Sequence, residues 1–200
     1  MVEILATLGR TMGFSFAAGI NLYATVAILG LAKRYGWVAL PGQFQVFDND
    51  IVIGVALVLY VVEFIADKVP WVDSIWDAVH TVIRPIGGAV LAVTTLGEAS
   101  PTMQGLIALL GGTLATGTHL TKAGTRAAAN TSPEPLSNWG LSLAEDVFVV
   151  GLSALALKYP VAAAVVVVLC VIVMIAFAAL LVRMVRRWWR SRAQPTPVRP

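Results

Sequence analysis

The stretch 161–182 is apolar throughout and contains no charged residue. A helix needs about 20 such residues to cross the roughly 30 Å hydrocarbon layer of a bilayer. The rest of the chain is similar, because 58% of its residues are hydrophobic and only 12% are charged, whereas soluble domains are about a quarter charged. The sequence therefore predicts an all-α, polytopic transmembrane helical bundle without a separate soluble catalytic domain.

About six membrane segments are predicted, some of them short or re-entrant. They cover residues 11–32, 51–66, 86–96, 103–129, 140–157 and 161–182. The third is about half a span long, and Pro85 is expected to separate it from an amphipathic helix at 72–83. The sequence leaves open whether 71–97 is re-entrant or spanning, and hence the orientation of the N-terminus.

The C-terminal end is rich in arginine, and such residues favour the cytoplasmic side of a membrane. Residues 1–182 are expected to form the transmembrane domain and residues 183–200 a basic cytoplasmic tail. A tail of this kind suits anionic lipid, so membrane lipids are the expected partner and nucleic acid is not. The only cysteine, Cys170, excludes an intramolecular disulfide, and no cofactor is expected.

Two sets of polar residues recur at the three- and four-residue spacings that place side chains on one face of a helix. The first set is Asp73, Asp77, His80 and Arg84, and the second is His119, Lys122 and Arg126. The first set either lines a polar cavity or forms the wet face of an interfacial helix. The second set either binds an anion or pairs with acids of neighbouring helices.

Further polar residues lie on or beside the other predicted segments, namely Asn21, Glu63, Asp67, Asn138, Glu145 and Asp146. Asp146 precedes a wholly apolar stretch, and an intramembrane acid is a candidate proton or cation site. Glu145 stands three residues after Ser142, which also permits a helix cap. Asn21 either bonds to a broken helix nearby or makes an ordinary interhelical hydrogen bond.

The predicted topology sends these polar segments to one side of the membrane. They are therefore expected to line one cavity that opens to the cytoplasm, in which Asp73 or Asp77 pairs with Lys122 or Arg126. A weak inverted repeat is also predicted, because residues 18–22 resemble residues 116–120. Each half would hold one polar-broken helix and one helix that starts at a proline.

Three polar sequence words occur in order along the chain. They are FAAGINLYAT at 16–25, VEFIADKVP with DSIWD at 62–77, and TKAGTR with NTSPEP and SLAED at 121–146. Together they resemble the domain of unknown function 4126, a family of bacterial polytopic membrane proteins, over about residues 11–160. The resemblance implies a small protein of the bacterial cytoplasmic (inner) membrane and implies no particular activity.

The leading functional prediction is a transporter or flippase for a small anionic solute or lipid headgroup, with His119, Lys122 and Arg126 holding the anion and the acids carrying coupling protons or cations. A divalent-cation channel or transporter is an alternative, because aspartate and histidine are suitable ligands. A membrane enzyme acting on a lipid phosphate would use His80 or His119, but no nucleophile elbow or phosphate-binding loop is present. A non-catalytic assembly factor, and either a monomer or a homodimer, also stay open.

Overall fold

The computed structural model of the chain describes residues 2–130 and 135–192. Within those ranges the backbone is mostly helical and contains no strand, which confirms the predicted all-α class. The α-helices are α1 (Val2–Ile20), α2 (Leu22–Arg34), α3 (Asp50–Ala66), α4 (Pro70–Leu96), α5 (Pro101–Asn130), α6 (Pro135–Lys158) and α7 (Pro160–Arg192). A short 3-10 helix, Gly42–Phe47, lies between α2 and α3.

Three of the described helices are long and apolar enough to cross a membrane. They are α4 with 27 residues, the part of α6 from Asn138 to Lys158 with 21, and the part of α7 from Pro160 to Met184 with 25. At about 1.5 Å per residue, each exceeds the hydrocarbon thickness of a bilayer. The chain is therefore a membrane protein, and the count of about six segments stays a prediction.

The predicted first segment is not one continuous helix, because Asn21 separates α1 from α2. Asn21 has an extended backbone (φ −147°, ψ 98°), and its side-chain oxygen accepts a hydrogen bond from the backbone N–H of Ala24 at 2.9 Å. Asparagine is a favoured helix N-cap because its side chain satisfies one of the first free N–H groups. The amide predicted to contact a broken helix is therefore itself the site of the break.

The predicted helix break at Pro85 is wrong, because α4 continues through this residue to Leu96. A proline inside a helix removes one backbone hydrogen bond, and membrane helices tolerate the loss where neighbouring structure compensates. Here α4 packs along α5, which supports the helix on both sides of the proline.

The side chains of α4 are arranged with the polar face inward and the apolar face outward. Asp73, Asp77, His80 and Arg84 are all buried, whereas Ile75 and other large apolar residues of the helix are exposed. An interfacial helix would turn its charged face to water, so that interpretation is wrong. The exposed apolar face instead suits contact with lipid.

Close backbone contacts bring α1, α4 and α5 together. A Cβ atom added at Gly111 of α5 would lie 2.6 Å from the carbonyl oxygen of Gly88 and 2.9 Å from the Ser15 hydroxyl. The Ser15 hydroxyl also donates to the Gly88 carbonyl at 3.1 Å. Small residues permit such approach between membrane helices, and the crossing holds the polar parts of the three helices in register.

The predicted repeat of a polar-broken helix is found only in the first half, because α5 runs without interruption through His119. The second expected feature is present in both halves, since α4 begins at Pro70 and α6 at Pro135. The inverted repeat stays a prediction. The predicted tail begins inside α7, which extends to Arg192, and residues 193–200 lie outside the described part of the chain.

Candidate functional site

The predicted site residues converge on one region of the first compact unit, which ends at Val167. The region is built from the end of α3, the first half of α4, the second half of α5, the first half of α6 and the break at Asn21. All of the predicted side chains are buried except that of Glu145, which is 16% exposed. The structure thus brings together residues that are far apart in sequence.

Arg84 lies at the centre of this region and is completely buried. Its Nη2 donates to Glu63 Oε1 at 2.7 Å, and its Nη1 donates to His119 Nδ1 at 2.8 Å and to the Gly19 carbonyl at 3.3 Å. A guanidinium group can only donate hydrogen bonds, so His119 accepts at Nδ1 and is neutral in this arrangement. The Nδ1 atom of His119 is therefore engaged by Arg84, and the predicted role of His119 in holding an anion stays a prediction.

Lys122 is surrounded by acceptors. Its Nζ donates to Glu63 Oε1, Asp67 Oδ2 and the Ile20 carbonyl, each at 3.2 Å, and an ion pair at 3.6 Å connects it to Glu145. A lysine ammonium group has three donors, and all three are used. The alternative in which the basic residues of α5 pair with neighbouring acids is the one that the structure contains.

The hydrogen-bond donors of Arg126 are also all used by protein acceptors. Its Nε donates to both oxygens of Glu145 at 3.2 Å, and its Nη2 donates to Glu145 Oε2 and Asp67 Oδ2 at 2.8 Å. Its Nη1 donates to the Asp67 carbonyl at 2.9 Å and the Asn138 carbonyl at 3.4 Å. These bonds use all of the guanidinium donors, so an anion would have to displace an existing partner.

Of the two aspartates of α4, only Asp73 has a direct ion pair with a basic residue of α5. Asp77 Oδ1 lies 3.5 Å from Arg84 Nη1, which stands two helical turns further along the same face of α4. Asp73 Oδ1 lies 4.0 Å from Arg126 Nη1, which agrees with the predicted partner at the outer limit of an ion pair. Both contacts are longer than a typical N–H···O hydrogen bond.

The helix break at Asn21 supplies backbone groups to the network. The carbonyls of Gly19 and Ile20, at the end of α1, accept hydrogen bonds from Arg84 and Lys122. Cations are favoured at a helix C-terminus, where free carbonyls and the helix dipole present negative charge. The Asn21 Nδ2 donates to Asp146 Oδ1 at 3.3 Å, which connects the break to α6.

Three residues that contact the predicted site were not among the site residues predicted from the sequence. Tyr23 shares a 2.9 Å hydrogen bond with His80 Nε2, and Thr81 shares one of 3.0 Å with His119 Nε2. Asn130 donates to Asp73 Oδ2 at 2.9 Å. The helical spacing contains a signal for the last of these, because Asn130 stands four residues after Arg126 and extends the polar face of α5.

A cavity of about 250 Å³ opens between α4 and α5 beside this network. Its lining consists of Asp73, Ser74, Asp77, Ala78, Thr81, Ala123, Arg126, Ala127 and Asn130. The Oδ1 atoms of Asp73 and Asp77 have no hydrogen-bond partner, although both are buried. The cavity therefore has small residues among its walls and two carboxylate oxygens that accept no hydrogen bond and make only long ion pairs.

The region contains more acidic than basic groups. Among the described residues, its carboxylates belong to Glu63, Asp67, Asp73, Asp77, Glu145 and Asp146, and its buried cations to Arg84, Lys122 and Arg126. The half-buried Lys68 is a fourth cation, close enough to interact with Asp146 and Asp67. Asp146 has an unbonded Oδ2 and forms no ion pair within the described residues. Six carboxylates against four cations still leave an excess of acid. Buried charge is costly without a partner, so this excess favours the uptake of protons or cations.

Residues 2–130 and 135–192 contain no group of three or more histidine, cysteine or acidic side chains placed to hold one metal ion. Two members of the predicted metal-ligand set are engaged elsewhere, because His80 bonds to Tyr23 and His119 to Arg84. The described geometry therefore gives the divalent-cation alternative no ligand set.

A comparison with protein families matches residues 8–180 to the domain of unknown function 4126. The match extends into α7, so the expectation that the resemblance ends near residue 160 is wrong. Neither the curated proteins nor the solved structures gave a match to the chain. Since the family match covers most of the sequence, this membrane protein belongs to the domain of unknown function 4126 family.

Proposed function

We propose that this protein is a proton-coupled membrane transporter for a small polar solute. The excess of buried carboxylates over permanent cations is the observation that carries the proposal. Intramembrane acids of this kind are typical of proton relays in transporters, and a broken helix beside them is typical of transporter binding sites. We further propose a bacterial cytoplasmic membrane, as the family resemblance implies. We also propose a cytoplasmic C-terminus, because the end of α7 is rich in arginine.

Asp146 is the strongest candidate for the proton carrier. Its single described hydrogen bond comes from Asn21 at the break between α1 and α2, and its other oxygen has no partner. A proton on Asp146 would remove a buried charge that has no direct ion pair among the described residues, although Lys68 is near enough to interact with it. Because Asn21 at the helix break bonds to Asp146, protonation of Asp146 would change this contact and thereby alter the packing of α1 and α2 against α6.

The predicted anionic solute or lipid headgroup receives less support from this arrangement. Lys122 and Arg126 already use all of their donors on protein acceptors, so an anion would have to break several charge-assisted hydrogen bonds. Such bonds are about twice as strong as neutral ones. A solute that donates hydrogen bonds fits the open acceptors better.

The proposal is tested by solid-supported membrane electrophysiology on liposomes that contain the purified protein. A pH step is expected to displace charge in the wild type, because the buried carboxylates take up protons from one side. Asp146→Asn, which keeps the shape of the side chain, should lose most of this transient current. Asp50→Asn is the matched control, because the Asp50 side chain is 90% exposed.

The same liposomes are then tested with a panel of amines, polyols, amino acids and phosphates at a fixed pH gradient. A solute that increases the current of the wild type and produces no current in Asp146→Asn would support coupling of solute transport to proton movement. The proposal fails if the wild type gives no current with any solute, or if Asp146→Asn matches the wild type while eluting as the same monodisperse species.

A further inference from the structure

The cavity between α4 and α5 presents hydrogen-bond acceptors and almost no free donors. Arg126 directs its donors at Glu145, Asp67 and the Asn138 carbonyl. The Asn130 Nδ2 is occupied by Asp73 Oδ2 and the Pro70 carbonyl. An anion, which needs donors, therefore finds no open partner on these two side chains.

The hydroxyl groups of the lining are occupied in the same way. The Ser74 hydroxyl donates to the Pro70 carbonyl at 3.0 Å, and the Thr81 hydroxyl lies 3.0 Å from both the Asp77 carbonyl and His119 Nε2. These contacts turn the hydroxyl groups toward the protein. The carboxylate oxygens of the lining are different.

Asp73 and Asp77 leave one oxygen each without a hydrogen bond. Asp73 is 0% exposed and Asp77 is 5% exposed, and the Oδ1 atom of each accepts no hydrogen bond. Each makes only a long ion pair, Asp73 with Arg126 at 4.0 Å and Asp77 with Arg84 at 3.5 Å. A buried acceptor without a partner is costly, and most such groups in folded proteins are satisfied. Two of them on one cavity lining indicate a ligand that brings its own donors and positive charge.

We infer that this cavity binds a primary ammonium group, carried either by a small free amine or by the headgroup of an aminophospholipid. The inference rests on the proposed function in treating the cavity as the place where the solute is recognised. A primary ammonium group has three donors and one positive charge, so it can satisfy the open oxygens of Asp73 and Asp77 together.

Other cations fit less well. A divalent metal such as calcium requires about six to eight oxygen ligands, and the described residues offer no cluster of three metal-ligating side chains. A quaternary ammonium group has no N–H donor and leaves both acceptors unsatisfied. The volume of about 250 Å³ lies below the usual range for drug-sized ligands and suits a head of a few heavy atoms.

The walls of the cavity contain small residues that leave it accessible from the outer face of α4. Ser74 and Ala78 on α4 and Ala127 on α5 are exposed. The large apolar residues Ile75 and Val79 beside them are also exposed, so acyl chains can lie along the helix while a headgroup enters. A free amine would enter by the same gap.

The test is calorimetry on the full-length protein in detergent at constant pH, with ethylammonium and ethyltrimethylammonium chloride as probes. Only ethylammonium is expected to bind. Asp77→Asn should weaken its binding by about tenfold or more, because hydrogen bonds to a charged group are worth about 1.5–3 kcal/mol.

Ala78→Leu fills the gap without touching the charge network, and it should abolish binding even if Asp77→Asn folds poorly. Ala154→Leu is the control, because Ala154 is exposed on α6 and does not line the cavity. Equal binding of the two probes, binding of neither probe, or unchanged binding in Ala78→Leu would overturn the inference.

Native mass spectrometry with phosphatidylethanolamine and phosphatidylcholine distinguishes the two sources of the ammonium group. Retention of phosphatidylethanolamine alone, lost in Ala78→Leu, assigns the site to a lipid headgroup, whereas ethylammonium binding without lipid retention assigns it to a free amine. These measurements use no ion gradient. Amine binding without a pH-step current would therefore contradict proton-coupled transport and support the ammonium site. A pH-step current without amine binding would support transport and contradict the ammonium site.

Discussion

At the scale of single residues, Arg84 is the side chain on which the network depends. It is 0% exposed and contacts Glu63 on α3, the end of α1 at Gly19, and His119 on α5. A buried cation of this kind stabilises the protein only through its partners, because desolvation is expensive. Its removal would leave Glu63 with Lys122 as its remaining cation.

Arg84→Met is expected to lower the free energy of unfolding by about 3–5 kcal/mol, the usual cost of breaking a buried ion pair. Thermal unfolding in detergent, followed by tryptophan fluorescence, measures the change. Arg34→Met is the matched control, because Arg34 pairs with Asp48 and Asp50 near the surface with 30% of its side chain exposed. That change should cost about 1 kcal/mol or less.

The double variant Glu63→Gln/Arg84→Met separates charge from packing. If the ion pair is the cause, removing the second charge should recover part of the lost stability. An Arg84→Met protein as stable as the wild type would show that the network contributes nothing to folding.

At the scale of elements, the crossing of α4 and α5 positions the site. Gly88 and Gly111 let the two backbones approach closely, and the polar faces of both helices are held opposite each other on the same side of this crossing. Without that approach Asp73 and Arg126 would not reach each other. The small residues are therefore part of the site, although they contribute no polar group to it.

Gly111→Ala is expected to destabilise the protein by about 1–3 kcal/mol, because the added methyl group overlaps α4. Gly105→Ala on the same helix is the control, since a Cβ atom there meets nothing within 4 Å. It should instead stabilise α5 by up to about 1 kcal/mol, the difference in helix propensity. Thermal unfolding measures the stability of both variants. Equal changes in stability would contradict the close crossing of α4 and α5.

At the scale of the whole molecule, the first unit has charged residues inside and apolar residues outside. Arg84, Arg126, Glu63 and His119 are among its most completely buried side chains, while residues such as Val90 are exposed. This arrangement is unfavourable in water and suitable in lipid, where the solvent itself is apolar. The same exterior that indicates a membrane protein keeps the buried charges in a medium of low dielectric constant.

Spin labels at neighbouring positions test this arrangement in liposomes, in a Cys170→Ser background. Val90 is 57% exposed and Leu91 is 2% exposed. A label at Val90→Cys should collide with oxygen, which dissolves in lipid, and not with a water-soluble nickel complex. A label at Leu91→Cys should collide with neither. Access of the nickel complex to Val90→Cys would contradict a lipid-facing surface.

The class of the protein and the helix faces that carry its site follow from the sequence alone. Apolar runs long enough to span a bilayer require a helical membrane protein, and the spacing of Asp73, Asp77, His80 and Arg84 defines a shared helix face wherever α4 lies. These are local properties, set by composition and periodicity.

The partners of these residues are decided only in the tertiary structure. The pairing of Arg84 with Glu63 of α3 and the continuation of α4 through Pro85 depend on which helix lies alongside. Periodicity defines a face but does not say what that face meets. Because a buried charge is stabilised by its neighbours and destabilised by their absence, the chemistry of the site is determined by the packing of the helices.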